Sequence, residues 1–248
     1  MNPTYPDWLQ GFPKRFQADV MEAVQSQDHS RIVAFDADRT LWKNDIGEFF
    51  MELLTQSEDP DDPPVLDPKV WTTYERMLKK DRNKAYGFAV QCMAGIEFAD
   101  LSSWIDLVAS KWPHYSPKMA DLINGMREEG DLKVYVVSSS CTWIVRRALL
   151  YMGVDVDGAY GIETELDHVA GKGLVVSDRL VLPLTCNAGK VETLDANAGM
   201  ASFAIGDSMG DNELLDAARW RLVVGTKGEP ENDMMTLARQ RGWSTWVR

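Results

Sequence analysis

Three apolar runs punctuate this chain, and each stops abruptly at a cluster of polar groups. Ile32 to Phe35 leads into Asp36-Ala37-Asp38-Arg39-Thr40-Leu41-Trp42. Leu132 to Val137 leads into Ser138-Ser139-Ser140, and Phe203 to Ile205 into Gly206-Asp207-Ser208-Met209-Gly210-Asp211. A continuous apolar run predicts a strand of a parallel sheet, covered on both faces. Helical periodicity marks residues 8–28 before the first strand, Trp143 to Leu150 after the second, and a helix starting near Lys190. Residues 45–115 interrupt the sheet pattern with a helix from Asp45 to Gln56, an acidic Pro-rich loop from Ser57 to Pro68, and further helix to about Lys111. The sheet pattern resumes near Ser116. Ala159 to Thr164 and Gly173 to Leu184 read as short strands compatible with a hairpin, and Trp220 to Gly225 as a further sheet strand.

The polar groups at the strand ends carry the chemistry. They lie at the mouth of the sheet, where α/β proteins bind ligands. Asp is a poor strand former and is seldom buried unpaired. A hard cation such as Mg²⁺, held by carboxylate and carbonyl oxygens beside a phosphate, gives Asp36 and Asp38 a reason to be there. An Asp-rich turn is the plainer reading. Ser138, with backbone amides leading into a helix, suits a phosphate oxygen, or simply caps that helix. Lys190 is unremarkable alone. Together with Asp207 and Asp211, however, these groups place acids, a hydroxyl and an ammonium at one sheet edge, which chance explains poorly.

At these motifs the chain resembles the haloacid dehalogenase superfamily of phosphohydrolases, in its phosphoserine-phosphatase-like branch. The match runs in order through Asp36-Ala37-Asp38-Arg39-Thr40, Ser138, Lys190, and Gly206-Asp207 with Asp211. The resemblance implies an α/β fold: a three-layer Rossmann-like parallel sheet core over residues 1–44 and 116–248, with a small helical cap over 45–115. It implies Asp36 as a nucleophile that becomes an aspartyl-phosphate, and Asp38 as the acid, then base, of the two half-reactions. Ser138, with Ser139, and Lys190 would bind the phosphoryl group. Mg²⁺ would be held by Asp36, the Asp38 carbonyl and Asp207, with Asp211 orienting Lys190 or a metal-bound water. The second aspartate, typically absent from dehalogenases of this superfamily, favours phosphatase chemistry. General acid–base help of this kind is worth about 10²–10⁴-fold.

Composition agrees with an enzyme of small molecules. A formal charge of −12 argues against sequence-independent binding to nucleic acid or anionic membranes, so a phosphate ester must be drawn in by local cations. The cysteines, Cys92, Cys141 and Cys186, are odd in number and lack metal-ligand spacing, which points to reduced, core-packed thiols in a cytoplasmic setting. Met1 to Asp7 lacks a basic segment followed by an apolar one, and no apolar run is long enough to span a bilayer. The expected partner is therefore a small-molecule phosphate ester, with no nucleic acid or membrane; oligomeric state stays open.

Specificity is written less plainly. Asp45 stands where phosphoserine phosphatases carry a glutamate that contacts the substrate's amino group; it would meet an ammonium, or cap the first inserted helix. Aligning on Cys92 to Ile96 puts Ala89 where those enzymes carry a carboxylate-clamping arginine, leaving Arg76 or Arg82 to substitute. Ser139, Ser140, Arg39 and Gly210 also depart from the family pattern. Trp42, with Trp71, Trp104 and Trp143, offers aromatic faces that suit a quaternary ammonium, or packs in the core. His29, His114 and His168 are scattered, and the serine run lacks a Gly-x-Ser-x-Gly elbow. The expected function is a Mg²⁺-dependent phosphomonoester hydrolase acting on a small polar metabolite, with phosphoserine, phosphoethanolamine and phosphocholine as candidates. The alternatives are a phosphotransferase on the same fold and a non-catalytic phosphate-ligand-binding regulatory protein.

Overall fold

Strands with no polar face pair side by side at the centre of the protein. The computed structural model describes residues 5–26, 29–56 and 65–248. The N-terminal four residues and most of the expected Pro-rich loop (57–64) lie outside the described residues. Six parallel strands run in the order β3-β2-β1-β6-β7-β8. They are β1 (Ile32–Phe35), β2 (Lys133–Cys141), β3 (Gly158–Ile162), β6 (Phe203–Gly206), β7 (Trp220–Gly225) and β8 (Ser244–Val247). β4 (Thr164–Val169) and β5 (Gly173–Leu180) form a separate antiparallel pair.

Helices cover both faces of the sheet, which is why the strands alternate apolar on apolar. On one side α1 (Lys14–Gln25), α6 (Pro117–Glu128) and α7 (Thr142–Met152) bury Phe16, Met119, Leu122 and Ile144 against Val33, Phe35, Val134 and Phe203. On the other, α8 (Ala188–Asn197), α9 (Asn212–Ala217) and α10 (Asp233–Gln240) bury Leu194, Leu214 and Met234 against Ala34, Val137, Ala204 and Val223. Each such side chain contributes about 1.5–3 kcal/mol on burial.

Local chemistry sets the boundaries. The helix expected over 8–28 is split: Asp7–Leu9 is a single 3₁₀ turn, Gly11 takes φ +85°, and α1 begins only after Pro13. Proline lacks the N–H an interior turn needs and so starts the helix instead. Ser116 caps α6 through the Met119 amide, with Pro117 at the first helical position. Gly153, at φ +76°, ends α7 in the left-handed conformation. The hairpin is also corrected. Ala159 to Ile162 joins the parallel sheet as β3, and the partner of β5 is the segment that follows, β4.

Between β1 and α6 lie α2 (Ile46–Gln56), α3 (Lys69–Leu78), α4 (Arg82–Gln91) and α5 (Phe98–Lys111). This helical insert is laced to the hairpin. Gly95 N donates to the Val176 carbonyl at 2.8 Å, Val176 N donates to the Ile96 carbonyl at 3.0 Å, and Gln91 Nε2 donates to the Asp178 carbonyl at 2.7 Å. Among the described residues no helix is long and apolar enough to cross a membrane.

The topology concentrates the polar motifs. The chain leaves β1 for β2 on one side and returns through β6 on the other, so the order reverses between β1 and β6. Phe35 pairs with Val136 and with Ile205, which brings Asp36, Ser138 and Asp207 out at one edge.

Candidate active site

Asp36 leaves the end of β1 with its amide donating to the Ile205 carbonyl at 2.8 Å, so backbone pairing fixes where its carboxylate begins. That carboxylate is buried, and its Oδ1 accepts from Lys190 Nζ at 2.5 Å. Lys190 Nζ also donates to Asp211 Oδ1 at 2.6 Å, and its side chain is only 2 % exposed. The lysine reaches the site because α8 starts hard against the preceding loop. A Cβ on Gly189 would lie 1.9 Å from the Leu184 carbonyl oxygen, so only glycine permits that approach.

Asp211 is locked in turn. Its Oδ2 accepts from the amides of Asp207 and Ser208 at 3.1 Å and from the Ser208 hydroxyl at 3.2 Å. Gly206 gives it room, since a Cβ there would sit 2.7 Å from the Asp211 side chain. Asp207 is different. Its carbonyl accepts from Asn232 Nδ2 at 2.9 Å, but among the described residues its buried carboxylate accepts no hydrogen bond. Carboxylate oxygens of Asp36, Asp207 and Asp211 lie within 4.8 Å of one another.

The electrostatics follow from three acids sharing one lysine. Burial, then the charge of Asp211, pushes the Asp36 carboxyl up to about 7. Burial and the charges of Asp211 and Asp36 raise Asp207 well above the usual carboxylate range. Burial alone would lower Lys190, but Asp211 and Asp36 overcome it and hold the ammonium charged. Such a cluster is short of positive charge, and oxygen donors of this kind suit a hard divalent cation.

Asp38 is held by three donors on two fixed sides. Oδ1 accepts from Trp42 Nε1 and from the Ile46 amide, both at 2.8 Å; Oδ2 accepts from the Ser140 hydroxyl at 2.6 Å. Of the two readings of Trp42, at the substrate or in the core, the first is corrected: Trp42 is fully buried and absent from the cavity wall. Its role is corrected to that of a buried donor that orients Asp38. Ser140 was not anticipated as a partner of Asp38; the only sequence signal was a third serine where glycine is usual. Gly47 makes its place, since a Cβ there would lie 2.5 Å from the Ser140 hydroxyl oxygen. Gly47→Ala is expected to cost about 1–3 kcal/mol by overpacking. Thermal melts of Gly47→Ala, Ser140→Ala and the double variant check this: the two losses should not add, because Ser140→Ala removes the atom that clashes.

Ser138 is buried; its hydroxyl oxygen accepts from the Ser140 amide at 3.1 Å and gives its proton to no acceptor among the described residues. Ser139 lines the cavity wall, with its hydroxyl donating to the Thr185 carbonyl at 3.2 Å. Asp45 caps α2, its Oδ1 accepting from the Glu48 amide at 2.8 Å, as the plainer sequence reading has it. Burial and the charges of Asp38 and Glu48 raise its carboxyl well above the usual range.

These groups border a cavity of about 650 Å³ between the sheet edge and the helical insert. Sequence reasoning missed Glu48 and Tyr74 in its wall; the Tyr74 hydroxyl donates to Glu48 Oε1 at 3.0 Å. Arg82 and Ala89 line it and Arg76 does not. Arg39, exposed and at φ +59°, stands at its rim. Trp71 and Trp143 lie outside the wall, packed on Tyr74 and Phe98. All three cysteines are free, and burial pushes the Cys92 and Cys141 thiols up to about 12.

A family model described as haloacid dehalogenase-like hydrolase matches residues 33–216. No curated protein matches the chain by sequence. A protein of unknown function from Bordetella pertussis Tohama I shares the fold at TM-score 0.69 and 18 % identity, covering 88 % of this chain and 98 % of its own. Cytosolic 5'-nucleotidase IIIB, solved with cytidine, shares it at 0.63 and 16 %, covering 93 % and 84 %. A substrate-bound phosphoserine phosphatase shares it at 0.51 and 15 %, covering 80 % and 87 %.

Proposed function

The chain belongs to the haloacid dehalogenase-like hydrolases, and on that premise we propose that it is a Mg²⁺-dependent phosphomonoester hydrolase working through an aspartyl-phosphate on Asp36. One observation carries the reading. Asp36 and Asp207 flank the point where strand order reverses, and Lys190 bridges Asp36 to Asp211 within 2.6 Å. Open α/β sheets bind ligands at such a point.

The donor set fits Mg²⁺: the carboxylates of Asp36 and Asp207, with Asp207 buried and its carboxylate accepting no hydrogen bond among the described residues. The Asp38 carbonyl would complete the protein's share. Bound there, Mg²⁺ would supply positive charge to offset that of the phosphoryl group. The chain's own residues do the rest. The Asp36 carboxylate attacks phosphorus, the ester P–O bond breaks, and Asp38 gives its proton to the departing alcohol oxygen. Water then attacks the acyl phosphate while Asp38 takes back a proton, releasing inorganic phosphate and free Asp36. Lys190 and Ser138 hold the phosphoryl oxygens in both steps.

The grip on Asp38 selects which oxygen does this. Oδ1 faces two groups that only donate, an indole and an amide, so the transferable proton rides on Oδ2. The partner there is the Ser140 hydroxyl, which can donate or accept and so keeps Asp38 in place in either protonation state.

The helical insert serves as the cap that closes over the phosphate and excludes water. Its acids Asp45 and Glu48 support an aminoalcohol phosphate, such as phosphoserine, phosphoethanolamine or phosphocholine, as the substrate, with Arg82 the cap arginine in the cavity wall to meet a substrate carboxylate. Phosphate release from a panel of phosphomonoesters, with Mg²⁺ and with excess EDTA, tests this reading. Metal-dependent release concentrated on amine-bearing esters is expected. Release unaffected by EDTA would remove Mg²⁺ from the mechanism, and preference for nucleotides or sugar phosphates would remove the aminoalcohol.

A further inference from the structure

We infer that Arg248 is a positioning residue for Asp38. It follows β8, at the far edge of the sheet from β3, yet its side chain reaches back to the loop after the nucleophile. Nη1 donates to the Thr40 carbonyl at 2.9 Å, and Nη2 to the carbonyls of Arg39 at 2.7 Å and Trp42 at 2.5 Å. Its backbone is anchored: Arg248 N donates to the Gly225 carbonyl at 3.1 Å, and Lys227 N to the Arg248 carbonyl at 2.8 Å. One guanidinium therefore gathers three carbonyls from four consecutive residues.

The loop needs such a partner. Arg39 sits at φ +59°, a conformation that costs a non-glycine residue about 1–2 kcal/mol. The turn that results sends several carbonyls to one side, where the nearby N–H groups are already committed. Thr40 N and Leu41 N both donate to the Ala37 carbonyl, and Arg39 N to that of Asn44. A planar, permanently charged fork of donors satisfies converging carbonyls where a lysine ammonium offers no fixed geometry. Among the described residues no carboxylate pairs with Arg248 within 4.0 Å, so the side chain is committed to the loop rather than to an ion pair.

The connection to chemistry runs through Trp42. Its carbonyl is held by Arg248 and its indole N–H is bonded to Asp38 Oδ1. Residues 39–42 are thus clamped between the guanidinium and the acid, and releasing the clamp frees the indole that fixes which way Asp38 points. Arg248 touches neither substrate nor reacting atoms.

This inference rests on the phosphatase reading for its kinetic consequence but not for its structural one, and the experiment keeps the two apart. Arg248→Ala and Arg248→Lys are compared with the parent in two measurements. The first is the ¹H–¹⁵N signal of the Trp42 indole, assigned with Trp42→Phe, in the metal-free protein. Arg248→Ala should shift or broaden that signal, and a signal left in place overturns the inference whatever the enzyme's activity. The second is kcat/KM for an alkyl phosphate and for p-nitrophenyl phosphate, whose leaving group scarcely needs a proton. Misplacing Asp38 should cost about tenfold more on the alkyl ester than on the aryl ester, as loss of general acid help implies. Equal losses on both esters would mean a merely structural role and overturn the inference. Arg248→Lys should recover the melting temperature more fully than the alkyl-ester rate. Absence of any phosphatase activity in the parent would sink the proposed function instead, leaving the indole signal to decide the clamp.

Discussion

Asp36→Asn is expected to lose turnover by about 10⁴-fold or more, the scale seen when a covalent nucleophile is removed, while the protein folds at least as well as the parent. The second half of that expectation is what makes the first informative. Asp36 shares a buried site with Asp211 and Asp207, and its carboxyl is pushed up to about 7 by burial and by Asp211. The neutral amide removes one of the crowded acids and leaves Lys190 still paired with Asp211 at 2.6 Å. A dead enzyme with an unchanged or raised melting temperature separates chemistry from folding. Stopped reactions with a ³²P-labelled ester should also trap label on the parent and none on the variant. Wild-type rates in Asp36→Asn would sink the mechanism outright.

Lys190→Met is expected to fail on both counts. Its ammonium is buried and is the shared partner of two carboxylates, so its removal strands Asp36 and Asp211 without compensation. Breaking a buried pair from one side typically costs about 3–5 kcal/mol. Loss of one charged donor to the phosphoryl group adds a rate penalty of about 10²–10³-fold. The double variant Lys190→Met/Asp211→Asn distinguishes the two effects. It should regain much of the stability, because one stranded charge is gone, and none of the activity. Denaturant titration and steady-state assay of the single and double variants read this directly. A Lys190→Met protein as stable as the parent would show that the three groups do not carry the charges assigned to them.

The sheet and the polar cluster at its edge were legible in the sequence for the same physical reason. Buried parallel strands must be apolar throughout, so an acid at the end of one stands out. Asp36, Ser138 and Asp207 each sit one or two residues past such a run, and each emerges at the same edge. What stayed illegible depended on contacts between distant segments. Trp42 looks, in sequence, like an aromatic beside a site. Only packing shows it fully buried, its N–H aimed at an acid four positions back. Ser140 lies 102 residues from Asp38 and Arg248 208 residues from Thr40, separations that no local pattern records. The hairpin was misassigned because β3 and β4 abut. A single residue, Glu163, separates a strand of the sheet from a strand that leaves it, so the expected segment Ala159 to Thr164 runs across both.

The pairing of β1 with β6 has a consequence for how this site can vary. Asp36 and Asp207 are borne by neighbouring strands, and neighbouring strands lie about 4.7–4.9 Å apart because backbone hydrogen bonds have one length. The spacing of the strand ends that bear the two acids is thus inherited from a repeat distance of the backbone itself, shared by every sheet. Substitutions in the helical insert can redraw which ester fits without touching that gauge. Substitutions at the strand ends cannot change it by degrees, since the ladder is either made or broken. On this plan the wall of the cavity is free to change while the spacing of the two strand ends stays constant.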